Sequence, residues 1–99
     1  MANERQILQE IVDHINKEGG PYYTWYSGIA SDPRDRLFND HNVSEKNGWW
    51  IHRNAESEQS ARNIENQLIN NYGTDGGGGG GDSKTIHVYS YKKTSATNP

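Results

Sequence analysis

The chain contains no cysteine. Disulfides, thiolate catalysis and cysteine-based zinc sites are therefore excluded. Aliphatic bulk is scarce: hydrophobic residues make up 30% of 99, with one Met and one Phe, and the mean hydropathy is −1.10. Composition this polar leaves disorder open. No apolar run approaches the length of a membrane span. The opening Met-Ala-Asn-Glu-Arg also lacks the apolar stretch of a secretory signal, so a cytoplasmic location without a membrane partner is the expectation. An excess of basic residues is missing too, with ten Lys+Arg against thirteen Asp+Glu and a net charge of −3. Phosphate neutralisation dominates general nucleic-acid affinity. Contact with nucleic acid must then run through a local positive patch, or the ligand must be a small nucleotide.

Aromatic residues supply what the aliphatics do not. Three Trp and six Tyr offer large buried area per residue and argue for a folded chain. At 99 residues it can feed one core, which predicts a single domain over 1–99. Because that core is thin, burial against a second copy in a homo-oligomer would add to it.

Ile7, Leu8, Ile11, Val12 and Ile15 recur with the 3.6-residue period of an amphipathic helix over residues 4–17, within an N-terminal segment 1–20. Asn3 is placed to cap it, with Gly19-Gly20 to end it. Tyr22–Ala30 alternates and reads as a strand, with Tyr26 and Gly28 on one face and Trp25 and Ser27 on the other. Asp32-Pro33 then starts a helix of about two turns, to roughly Asp40. Trp49–Arg53 reads as a second strand and Glu56–Tyr72 as a long helix, completing a core over 21–73. A glycine-rich loop over 74–84, a strand over 85–93 and a polar tail over 94–99 follow. The fold class is thus α/β (α+β), a small central sheet of about three strands flanked by three helices.

Several residues are not explained by packing alone. Glu65 falls in the same helical arc as Ala61, Ile64, Leu68 and Ile69, where an ionised carboxylate is costly unless paired or bound to a cation. It is either a rim residue or structural ion-pair partner, or a functional carboxylate acting as metal ligand or acid/base. Arg34, Arg36 and His41 sit along the short helix; they suit anion binding, or else pair with Asp32, Asp35 and Asp40 on a solvated surface. Gly28 within a strand marks close approach of backbone or ligand, and Tyr26 two residues earlier presents a hydroxyl or simply packs. On the last strand Tyr89 and Tyr91 share a face able to stack a base, or to form core capped by hydroxyls. The run of six glycines, 76–81, lacks the Gly-Lys-Ser/Thr of a Walker loop. It is a flexible linker, or a loop whose backbone at Gly77 and Gly78, flanked by Asp82 and Ser83, curls around a phosphate. The four histidines, His14, His41, His52 and His87, are scattered singly, which excludes a multi-histidine metal site.

Trp25-Tyr-Ser-Gly-Ile-Ala-Ser-Asp-Pro-Arg-Asp-Arg-Leu37 resembles the second half of the GIY-YIG nuclease signature. There a Tyr-x-Gly strand leads into a helix whose catalytic arginine lies ten residues past the tyrosine; Tyr26, Gly28 and Arg36 match. That family's His or Tyr four residues after the arginine meets Asp40 here, with His41 one step later. Its next strand and its helix with a metal-binding glutamate resemble Trp49–Arg53 and Glu65, so the likeness spans about residues 23–72. No GIY strand precedes Tyr26, and the late asparagine of the family has no counterpart. The last strand, with Tyr89 and Tyr91, is the candidate to fill the vacant place as a rearranged edge strand.

The resemblance implies cleavage of nucleic acid with one Mg²⁺ or Mn²⁺ on Glu65. Tyr26 assisted by His41 would activate water, and Arg36 would stabilise the pentacovalent phosphate. The alternative is an oligomeric, cofactor-free binder of a nucleotide, such as a phage-type sponge for a nucleotide signal. It would use the same residues with Arg34, Gly28, Tyr89, Tyr91 and the glycine-rich loop.

Overall fold

A computed structural model of the chain describes residues 3–46, 48–76 and 84–98. Helix α1 spans Glu4–Glu18; the Asn3 side chain accepts from the Gln6 amide at its start, and Gly19 ends it. Its apolar stripe, Ile7, Leu8, Ile11, Val12 and Ile15, is buried as the period requires. Tyr22–Thr24 forms a tight 3₁₀ turn, so strand β1 (Trp25–Ala30) begins three residues later than alternation alone suggests. The Thr24 amide and hydroxyl both bond back to the Pro21 carbonyl, which holds that turn out of the sheet.

Helix α2 (Pro33–Asp35) is capped by Asp32, with Pro33 at its first position, and it runs on into a wider turn over Arg36–Asp40. That turn closes with five-residue spacing, the His41 amide donating to the Arg36 carbonyl at 2.9 Å. Asn42 then takes a left-handed conformation, φ 57°, and ends the helical path. Strand β2 (Trp50–Asn54) follows. Helix α3 (Glu58–Gln67) is capped by Ser57 and also widens at its end, over Leu68–Tyr72, before left-handed Gly73. Next come the short β3 (Asp75–Gly76) and β4 (His87–Lys92).

Among the described residues the sheet has four strands in the order β2-β4-β1-β3. β4 runs antiparallel to both β1 and β2, while β3 lies parallel to β1. The class is the mixed α and β fold expected, with three helices around a small sheet. Two details differ. The segment expected to be all loop from residue 74 starts with β3, where the Thr74 hydroxyl bonds Ser27 at 2.9 Å. The last strand is an inner strand, not an edge, because antiparallel ladders with β1 and β2 occupy both its sides.

The period of two along β1 and β4 divides the core. Trp25, Ile29, Val88 and Ile51 face α1 and α3, forming the larger cluster with Ile7, Ile11, Ile15, Ala61, Ile64 and Leu68. Tyr26, Ala30, Tyr89, Tyr91 and Trp50 face the other way and pack with Leu37, Phe38 and Val43. Both halves of that second face derive from strand pairing, Gly28 opposite Tyr89 and Tyr26 opposite Tyr91. Among the described residues no helix is long and apolar enough to cross a membrane.

Candidate functional site

The second face of the sheet gathers four of the residues singled out in the sequence. His41 enters from the end of the α2 path and is buried against β4. Its Nε2 lies 2.8 Å from the Tyr89 hydroxyl and its Nδ1 lies 3.0 Å from the Tyr91 hydroxyl. The Tyr26 ring packs against His41 with centroids 4.8 Å apart and stacks on Tyr91 at 5.3 Å and 27°. Tyr89 and Tyr91 are fully enclosed, whereas Tyr26 is half-buried at the open side of the cluster.

Gly28 explains why this cluster fits on the sheet. A Cβ at that position would come within 2.5 Å of the Tyr89 hydroxyl oxygen, so the phenol lies directly over the bare backbone of β1. Glycine is required here by the absence of a side chain, not by a special backbone conformation. Among the described residues β3 pairs with β1 at Tyr26 and Ser27.

Glu65 is buried on α3, 4% exposed, and its main-chain carbonyl accepts from the Leu68 amide. Burial pushes its carboxyl above the ordinary carboxylate range, opposed in part by the Arg62 guanidinium. Arg62 itself is held by Glu58 through bonds of 3.0 and 2.8 Å. Arg36 is half-exposed and pairs with Asp40 at 3.4 Å. α3 packs on the first face of the sheet and the α2 path on the second, so Glu65 and Arg36 belong to elements on opposite sides of it. Burial raises the Tyr89 hydroxyl above the usual phenol value, Tyr26, Glu65 and Asp40 add to that rise, and Arg36 opposes it. Tyr91 is raised in the same way, by burial first and then by Tyr26 and Tyr89. Both phenols therefore keep their protons at neutral pH and act as hydrogen-bonding groups.

Among the described residues no cluster of three or more His, Asp or Glu is placed to hold a metal. Mg²⁺ and its relatives accept a single carboxylate when water and ligand phosphate complete the shell. Glu65 on α3 is the buried carboxylate that the sequence reading offered for that role.

Arg34 stands apart from this group. It pairs with Glu45 and lies over the rings of Phe38 and Trp50, at 5.1 and 5.7 Å from their centroids. Gly77, Gly78, Asp82 and Ser83 lie outside the described residues.

Two elements of the site have no counterpart in the sequence reading. Ser27, Ser90 and Thr74 form a buried hydroxyl chain with links of 2.9 Å beneath the cluster. The segment after β4 folds back so that the Asn98 main-chain carbonyl meets His41 Nδ1. A carbonyl carries no sequence signature, and three small hydroxyl residues at separations of 47 and 63 positions show no periodicity. No protein-family model matches the chain, nor does any curated protein or solved structure.

Proposed function

We propose that this chain is a phosphodiester-cleaving nuclease of GIY-YIG-like type, acting on nucleic acid in the cytoplasm with one divalent metal. The observation that carries the reading is the cluster of Tyr26 and His41 on the buried hydroxyls of Tyr89 and Tyr91. The likeness to that family calls for a second tyrosine-bearing strand beside the Tyr-x-Gly strand. β4, with Tyr89 and Tyr91, lies antiparallel to β1 and supports that requirement from the other end of the chain.

In this reading Tyr26, the phenol at the open side, meets the attacking water, and His41 takes up the proton while the β4 phenols, which keep their own, hold its ring by hydrogen bonds. Arg36 offers a planar fork of donors to the non-bridging phosphate oxygens, where negative charge grows in the transition state. Its pairing with Asp40 is between two half-exposed groups and exchanges at little cost. Glu65 is the residue that would hold Mg²⁺ or Mn²⁺. A cation there would supply charge neutralisation for the departing oxygen. Incubation of single- and double-stranded DNA and RNA with Mg²⁺ or Mn²⁺ tests the proposal. Products absent in Glu65→Gln and Arg36→Ala support it; cleavage that survives both substitutions rules it out.

A second reading keeps the site and removes the chemistry, leaving a nucleotide-binding protein such as a sponge, with no cofactor and with a pocket shared in a homo-oligomer. It is favoured by the engagement of both His41 ring nitrogens within the protein. Nucleotide recovered intact after long incubation, together with a thermal shift in a nucleotide panel, selects this reading over cleavage.

A further inference from the structure

The C-terminal segment is tied to the short helix at two points. The Asn98 amide donates to the His41 carbonyl at 2.7 Å, and Asn42 Nδ2 donates to the Ala96 carbonyl at 2.8 Å. Within the segment the Thr97 hydroxyl accepts from the Thr94 amide at 3.0 Å, which shapes the return. These ties hold the Asn98 carbonyl oxygen against His41 Nδ1, on the opposite side of the ring from Tyr89. The Tyr91 hydroxyl completes a triangle, 3.0 Å from Nδ1 and donating to the Asn98 oxygen at 3.3 Å.

We infer that the Asn98 main-chain carbonyl fixes neutral His41 as the Nδ1–H tautomer and so makes Nε2 the acceptor of the Tyr89 hydroxyl proton. A carbonyl oxygen has lone pairs only, so the ring nitrogen facing it carries the hydrogen. A neutral imidazole has one such hydrogen, which leaves Nε2 bare. The hydrogen between Nε2 and Tyr89 then belongs to the phenol. Tyr91 agrees with this direction: it accepts a share of Nδ1–H and passes its own hydrogen to Asn98. In the opposite tautomer the lone pairs of Nδ1 and the Asn98 oxygen would face each other in a buried place, where an unmade bond is costly.

Asn98 is thus a positioning residue that acts through its main chain, as a carboxylate orients the histidine of a catalytic triad. The consequence for hydrolysis, that His41 stands ready as a base toward β4, rests on the proposed nuclease reading; the tautomer itself does not. The neutral carbonyl serves this purpose without adding a charge to the site.

Nitrogen NMR of ¹⁵N-histidine-labelled intact protein in mildly alkaline buffer reads the tautomer directly, with His41 assigned by its contacts to Tyr89 and Tyr91. The expected spectrum has a protonated Nδ1 and an unprotonated Nε2. Deleting residues 94–99 removes the carbonyl and lets the Tyr91 hydroxyl donate to Nδ1, so the hydrogen moves toward Nε2. Asn98→Ala keeps the main chain and keeps the Nδ1–H form. A protonated Nε2 in the neutral intact chain overturns the inference, even where the truncated chain fails to fold. So does a folded truncated chain that retains Nδ1–H. If cleavage is present, truncation lowers kcat more than it changes KM. An inactive protein with His41 as Nδ1–H counts against the nuclease and for the relay.

Discussion

Replacing Glu65 by glutamine removes a negative charge while keeping the length and shape of the side chain. Glu65 is 4% exposed, and burial pushes its carboxyl upward. The Arg62 guanidinium, itself bonded to Glu58, eases that charge in part. A charge held under such conditions costs at least about 1 kcal/mol, and relieving it in a domain of this size raises Tm by about 4–8 °C. The pH dependence carries the sign. A folded-state value raised above the ordinary 4.5 means that the folded chain holds the proton more tightly than the unfolded one. Wild-type stability therefore increases as pH falls through the raised value toward 4.5 and is lower at neutral pH. Thermal melts near neutral pH and near about pH 4 measure this. Glu65→Gln is expected to be the more stable protein at neutral pH, with the gain fading in acid. Mg²⁺ or Mn²⁺ is expected to raise the wild-type Tm and leave that of the variant in place, by mass action at the carboxylate. A variant equally or less stable at neutral pH would mean that the charge is already compensated and that no cation is needed there. Gained stability with lost activity is the usual trade at a functional site.

Other substitutions probe the same face. Gly28→Ala drives a methyl group to within 2.5 Å of the Tyr89 hydroxyl; an overpacking cost of about 1–3 kcal/mol follows, read as a lower denaturation midpoint. Ser27→Ala breaks both 2.9 Å links of the buried hydroxyl chain and strands Thr74 and Ser90. Denaturant titration should show a loss of about 1–3 kcal/mol with an unchanged slope. Arg36→Ala touches only a half-exposed ion pair, so stability should hold within about 0.5 kcal/mol. Nuclease activity, if present, should drop about 10²–10³-fold, the loss expected for one transition-state donor. Activity that persists in Arg36→Ala would direct attention to Arg34.

Much of the architecture is local and therefore legible along the chain. The apolar stripe of α1, its Asn3 cap, the Asp32-Pro33 start of α2 and the split of Tyr26 from Trp25 follow from periods of 3.6 and 2 and from capping chemistry. The same periodicity put Glu65 inside a hydrophobic arc, and the fold buries it there. Boundaries were less legible where a side chain or turn competes with the ladder, as at Tyr22–Thr24, where bonds to Pro21 delay β1.

Pairing between distant segments is a different matter. The sequence alone specifies a polar C-terminal tail and a tyrosine-bearing strand; only the tertiary structure inserts that strand between β1 and β2 and lays Asn98 against His41. The reason lies in what carries each contact. A helix stripe or cap is written in side chains a few positions apart, whereas a strand ladder and a main-chain carbonyl use groups that every residue possesses. Which of them meet is decided by the best joint burial of the whole chain, a quantity with no local mark.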